Sequence, residues 1–106
     1  MTETEYLQAV AHVLDDVESA FDRAQLPADC ALAGLVLTIE FDDRSKIVLN
    51  AQAPTQQLWL AARSGGMHFA FDGRQWADVR TGEEFFRALS RVVSEQLKSA
   101  VDLRPM

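Results

Sequence analysis

Asn50-Ala51-Gln52-Ala53-Pro54-Thr55-Gln56-Gln57-Leu58-Trp59-Leu60-Ala61 is the stretch on which the fold turns. Pro54 has no N–H to give to a sheet ladder, so it marks a break between two strands. Before it, Ile47 and Leu49 alternate with Val48 and Asn50; after it, Leu58 and Leu60 alternate with Gln57 and Trp59. Alternation with a period of two belongs to half-buried strands, one face on a core and the other in water. The inward set is Ile47, Leu49, Leu58 and Leu60. The outward set is Asn50, Gln52, Gln57 and Trp59, a large aromatic among three amides, which is the composition of an interface anchor.

The same rhythm continues on both sides. Leu35, Leu37, Ile39 and Phe41 predict a strand over residues 35–41, turned by Asp42-Asp43-Arg44-Ser45 into one over Lys46 to Gln52. The strand from Gln57 to Arg63 is followed by the hairpin signal Ser64-Gly65-Gly66 and by Met67 to Phe71, with His68 and Ala70 outward. Asp72-Gly73 turns the chain into a fifth short strand, Gln75 to Arg80, where Trp76 is expected to pack at the sheet edge. Two helices flank this run. Leu7, Val10, Leu14, Val17, Phe21 and Ala24 form one apolar stripe over residues 4–25, with Thr2 and Glu5 as a capping box and Pro27 beyond the end. Near the other terminus, Thr81-Gly82-Glu83-Glu84 reads as a second cap. Phe85, Phe86, Leu89, Val92, Val93 and Leu97 supply that helix's apolar side, and Glu83–Arg87 and Arg91–Glu95 its surface pairs. The tail, Val101-Asp102-Leu103, either packs back or frays. The expected class is α+β: a two-layer sandwich in which an antiparallel meander of five to six strands carries both helices on one face, as a single domain over residues 1–106.

Composition narrows the function. An apolar share of 48% with 25% charged residues is a globular balance and excludes a disordered chain. The net charge of −6 argues against nucleic-acid binding, which needs cations for phosphates. No apolar run is long enough to span a bilayer, and MTETEYLQAV lacks the basic and apolar regions of a signal peptide. The single cysteine, Cys30, can form no internal disulfide and reads as a buried thiol, so a cytoplasmic protein is expected.

The charge is also polarised. Residues 1–43 hold ten carboxylates and one cation, Arg23, whereas residues 44–106 hold six carboxylates and nine cations. On the first helix, Asp15, Glu18 and Asp22 fall within an arc of about 60°, away from the apolar stripe. Asp16, Glu5 and His12 lie on the adjoining flank, and Asp29 with Glu40 to Asp43 would extend the negative surface if the first strand lay beside this helix. Exposed carboxylates suit hard cations and Fe²⁺. The sequence contains no HExxH or CxxC that would fix a closed cage, so any metal is held weakly and shared with solvent. Nothing marks a paired acid and base in a recess, so no enzyme is read from these residues.

Taken together, residues 50–61 resemble the N-x-Q-x-P-x-x-Q-x-W-L-[AS] signature of the frataxin family, in particular its bacterial CyaY-type branch. Gly65-Gly66, His68-Phe69-Ala70-Phe71, Asp72-Gly73 and Trp76 follow at the family's spacing. The resemblance implies an iron-binding, nonenzymatic accessory protein of iron–sulfur cluster assembly. Such a protein binds Fe²⁺ and Fe³⁺ weakly on an acidic ridge and modulates the cysteine desulfurase and cluster scaffold machinery. Carried onto this chain, the ridge comprises Glu5, Asp15, Asp16, Glu18, Asp22 and Asp29, with Glu3 and His12 as further candidates; the partner face comprises Asn50, Gln52, Gln57 and Trp59. A monomer that iron drives into oligomers is implied, with no nucleic-acid or membrane partner. Arg23 departs from the denser acidic runs of bacterial relatives and is expected to weaken cation attraction at its end of the helix. Two alternatives stay open: a ferroxidase or iron-storage protein, and a metal-independent interaction module working through Trp59.

Overall fold

The computed structural model describes residues 1–105. Helix α1 (Glu3–Ala24) opens on a reciprocal capping box, in which Thr2 Oγ1 accepts from the Glu5 amide and the Glu5 carboxylate accepts from the Thr2 amide. It stops at Gln25, whose left-handed backbone (φ 50°) turns the chain out of the helix. Six strands follow: β1 (Ala28–Ala33), β2 (Val36–Phe41), β3 (Lys46–Gln52), β4 (Gln57–Ala62), β5 (Gly65–Phe71) and β6 (Trp76–Asp78). Helix α2 (Phe85–Leu97) completes the order, and a single 3₁₀ turn at Ala53–Thr55 carries Pro54 between β3 and β4. Each strand pairs antiparallel with its sequence neighbour, so the sheet order is β1-β2-β3-β4-β5-β6.

The alternation predicts which face is buried. Leu37, Ile39, Ile47, Leu49, Leu58, Leu60 and Phe69 lose almost all exposure against Tyr6, Val10, Leu14 and Val17 of α1 and Phe85, Leu89, Val92 and Val93 of α2. Trp76 is buried at the far edge, edge-on to Tyr6 and tilted against Phe71. The buried side of α1 is broader than the expected stripe: Tyr6, Val13 and Ala20 join it, while Leu7 is half-buried and Ala24 is exposed.

The sixth of the expected five to six strands is located, and three local expectations change. The sixth strand is β1, paired to β2 from Ala28↔Phe41 to Ala33↔Val36, where the sequence shows no clean alternation. Helix α2 is capped by Glu84, whose carboxylate accepts from the Phe86 and Arg87 amides; Thr81 Oγ1 accepts instead from Glu83, so Thr81 closes the preceding turn. Because Glu83 lies before the helix, it pairs with Arg91 at 2.9 Å rather than with Arg87. Strand β6 ends at Asp78, whose buried carboxylate accepts from the Arg80 and Thr81 amides and bends the chain away. The tail packs back. Leu103 is buried, and the hydroxyls of Ser90 and Ser94 bond the backbone of Leu103 and Val101.

Candidate functional site

Two surfaces carry the residues singled out by sequence, and the fold places them on different layers. The first is the exposed side of α1. Asp15 and Asp22 are exposed and Glu18 half-exposed, and among the described residues none of the three meets a cation of the chain. Four carboxylates elsewhere are matched by arginines: Glu40 by Arg44 (3.5 Å), Asp43 by Arg63 (3.0 Å), Glu83 by Arg91 and Asp102 by Arg104 (2.8 Å). Glu3, Asp29, Asp42, Asp72 and Glu95 also lack an ion pair among the described residues but do not share one helix face. At Asp43 the Ser45 hydroxyl and amide, then Arg63, hold the carboxyl down at about 2. Arg23 is drawn off the ridge, because its guanidinium donates to the Arg104 carbonyl (2.8 Å) in the tail.

The other candidate ligands are set apart. Glu5 sits in the capping box, where the Thr2 amide and then its hydroxyl lower its pKa. It is also about 26 Å along the helix axis from Asp22 at 1.5 Å per residue, too far to share an ion. Glu3, in the same first turn, is exposed. Asp16 is 9% exposed, with its carboxylate 3.4 Å from Nε2 of the exposed His12. It lines an aromatic-walled cleft with Phe71, Trp76, Phe85 and Phe86, on the flank away from Glu18 and Asp22. Asp29 pairs in register with Glu40, which pairs with Lys46, so this row belongs to the sheet face opposite the helices. Asp15, Glu18 and Asp22 are thus the coherent part of the ridge. No three His, Cys, Asp or Glu side chains among the described residues converge on one point. Oxygen donors arranged along an open helix face fit hard cations in a hydrated, shared mode rather than a closed coordination cage.

Where α1 ends it leaves a cleft of about 420 Å³ against β1, lined by Glu18, Phe21, Asp22, Leu26, Ala28 and Cys30. Burial, with Glu18 and Asp29 adding like charge, pushes the Cys30 thiol up to about 11. A thiol held protonated in this way is a poor nucleophile and a poor thiolate ligand.

The second surface is the sheet face that no helix covers. Register aligns Asn50, Trp59 and His68 in one row across β3, β4 and β5, and Gln52, Gln57 and Ala70 in the next. Trp59 is stacked on the His68 imidazole, with centroids 4.1 Å apart and planes 7° apart, and its Nε1 donates to Gln57 Oε1 (2.8 Å). The sequence places Trp59 outward but gives no sign of this stack. Behind it, the Tyr6 hydroxyl donates to the Gln57 carbonyl (2.6 Å) and accepts from the Gln52 amide (2.9 Å). Tyr6 therefore ties the opening turn of α1 to the backbone that presents both amides, a function the helical stripe did not reveal.

The frataxin-like domain family matches residues 1–99. The iron–sulfur cluster assembly protein CyaY of Cupriavidus pinatubonensis is 44% identical over 107 residues, spanning 97% of this chain and 96% of its own. The protein of the same name from a Janthinobacterium is 48% identical over 101 residues, covering 91% and 90%. A frataxin from Psychromonas ingrahamii superimposes with a TM-score of 0.90 at 31% identity, over 96% of this chain and 97% of that one. The trimeric frataxin of Saccharomyces cerevisiae complexed with ferrous iron superimposes with a TM-score of 0.62 at 26% identity, over 95% and 87%. With whole-length relatives and a shared fold agreeing, this chain belongs to the frataxin family, in its bacterial CyaY branch.

Proposed function

We propose that the protein is a nonenzymatic accessory factor of iron–sulfur cluster assembly in the cytoplasm, which holds Fe²⁺ and Fe³⁺ loosely on α1 and docks there on a cysteine desulfurase. The observation that carries this reading is the clustering of Asp15, Glu18 and Asp22 on one face of α1 with no cation of the chain against them among the described residues, whereas Glu40, Asp43, Glu83 and Asp102 have their own arginines. Like charges at these helical spacings cost stability unless a cation from outside relieves them. Relatives named as cluster assembly proteins and a ferrous complex of a similar fold give that visitor its chemistry. Glu5, Asp16 and Asp29 take part at most as outlying ligands, each in its own local setting. On the other layer, Asn50, Gln52, Gln57 and Trp59 form a neutral contact for the cluster scaffold. The protein works as a monomer in this reading, with oligomers forming only as iron bridges ridges.

The test pairs an Asp15→Lys/Glu18→Lys/Asp22→Lys variant with the parent protein, both checked for fold by circular dichroism. Desulfurase affinity of the parent is expected to fall steeply with salt, and the variant is expected to lose at least tenfold at low salt. Unchanged affinity in the folded variant overturns the docking role. Titration of ¹⁵N-labelled protein with Fe²⁺ under anaerobic conditions is expected to broaden the amides around Asp15, Glu18 and Asp22. Aerobic Fe²⁺ oxidation no faster than in buffer separates this reading from a ferroxidase.

A further inference from the structure

We propose that the free edge of β1 receives an extended, basic segment of the docking partner as a seventh strand, laid between that edge and the carboxylates of α1. This rests on the docking role proposed above and specifies its geometry.

The edge is open for a reason of register. The β1–β2 hairpin closes through the two-residue loop Gly34-Leu35, with Gly34 left-handed (φ 60°), and Ala33 opposite Val36. A two-residue loop makes its closing pair hydrogen-bonded, so Asp29, Ala31 and Ala33 spend their backbone groups on β2. The far side of β2 agrees: the Leu35 carbonyl accepts from Ala51 and the Phe41 amide donates to Ser45, so the odd residues of β2 face β3 and the even ones face β1. Cys30 and Leu32 therefore point their N–H and C=O groups outward, and no partner meets them among the described residues. The Ala28 amide is already spent on Leu26 (2.8 Å).

Sheet edges are normally blunted by a lysine, a proline, a bulge or a covering segment. The opposite edge follows that rule: β6 has three residues, and Ala77 is bridged by Glu84. From Cys30 to Leu37 the sequence carries no charge and no proline, and Leu32 (47%) and Val36 (41%) are among the most exposed large apolar side chains. One edge is closed and the other is left available.

Charge selects the occupant. A strand added to β1 lies about 4.8 Å beyond it, and its alternate side chains on the helix side enter the cleft lined by Glu18, Asp22 and Cys30. Lysine or arginine at those positions meets carboxylates that have no cation partner among the described residues. A second copy of this chain would instead bring two such acidic clefts together, each from a molecule of charge −6. A basic strand satisfies the four backbone groups and the charge at once, which is the strand-addition mode of peptide recognition.

The probe is the cysteine desulfurase, and the variant is Leu32→Pro, which deletes one outward N–H without altering charge or the ladder to β2. Strand addition predicts at least a tenfold loss of affinity in Leu32→Pro. If that variant keeps wild-type affinity while the triple lysine variant loses it, the strand proposal fails and the ridge survives; if neither loses affinity, the docking role itself fails. Amide hydrogen exchange on the wild-type complex decides the matter even where Leu32→Pro does not fold. Cys30 and Leu32 are expected to gain at least tenfold protection on binding, whereas Ala31 and Ala33 are already protected in the free protein. Equal exchange at Cys30 and Leu32 in free and bound protein overturns the proposal. Concentration-dependent protection of these two amides without desulfurase assigns the edge to a second copy and overturns it as well.

Discussion

Trp59 lies flat on His68 across the β4–β5 ladder, 4.1 Å between ring centroids, with its indole N–H held by Gln57. The largest side chain of the open face is thus fixed before any partner arrives, and little rotamer freedom remains to be lost on binding. Stacked aromatic pairs contribute about 0.5–1.5 kcal/mol beyond the area they bury. His68→Ala should lower unfolding free energy by about 1 kcal/mol in urea titrations. It should also make Trp59 more accessible to acrylamide quenching while the buried Trp76 stays unaffected. A loss near zero with unchanged quenching would show that the indole is held by Gln57 alone.

Glu18 stands one turn from both Asp15 and Asp22, without a cation of its own among the described residues. Each like-charge pair at these spacings costs about 0.2–0.5 kcal/mol. Glu18→Gln should therefore raise stability by about 0.5 kcal/mol at low ionic strength, and the gain should shrink in 0.5 M salt as screening removes the repulsion. The same substitution should weaken desulfurase binding. Stability and docking moving in opposite directions is the result to look for.

Tyr6 is the only tyrosine, so its titration can be followed directly. Tyr6→Phe leaves the Gln52 amide and Gln57 carbonyl without their partner and should cost about 1–3 kcal/mol. Burial raises the Tyr6 pKa, and the bond from the Gln52 amide only partly offsets it. A raised pKa in the folded state gives stability that is complete below the ordinary tyrosine value near 10 and is lost as pH climbs through the folded value. The gap between wild type and Tyr6→Phe, measured by denaturation across pH 8–11.5, should narrow at the alkaline end.

Cys30, pushed up to about 11 from an ordinary 9.0, should react slowly. At pH 8 its thiolate fraction is about 100-fold below that of an unperturbed thiol, and the greater nucleophilicity of a more basic thiolate returns part of this, so iodoacetamide alkylation should be slower by about tenfold. Glu18→Gln, by removing the like charge with the larger effect on the thiol, should speed it. The protonated thiol supports the fold below pH 9, and that support should fade as pH rises toward 11.

Much of this architecture is written in side-chain alternation. Leu37, Ile39, Leu49, Leu58 and Leu60 announce their buried face because one side of each strand meets helices and the other meets water. Strand β1 announces nothing, since an edge strand lying past the end of α1 buries neither face well and Ala31, Leu32 and Ala33 are all exposed. The arc of Asp15, Glu18 and Asp22 follows from helix geometry alone. The burial of Asp16 does not, because it depends on how far α1 is rolled toward Phe85 and Trp76, which Tyr6, Val13 and Ala20 decide by packing. Asp29 faces the open side because the Gly34-Leu35 loop sets the register of β1, and the stack of Trp59 on His68 depends in the same way on the Arg63-Ser64 loop. Both are facts of pairing between strands rather than of any one strand's pattern.

The two helices that roof the sheet come from opposite ends of the chain, with the whole meander between them. A ribosome therefore delivers all six strands while only half of the roof exists. Until Phe85 to Leu97 leave the exit tunnel, Leu49, Leu60 and Phe69 stand partly wet, and the nascent domain is at its most vulnerable to sticking in the interval between the emergence of β6 and that of α2.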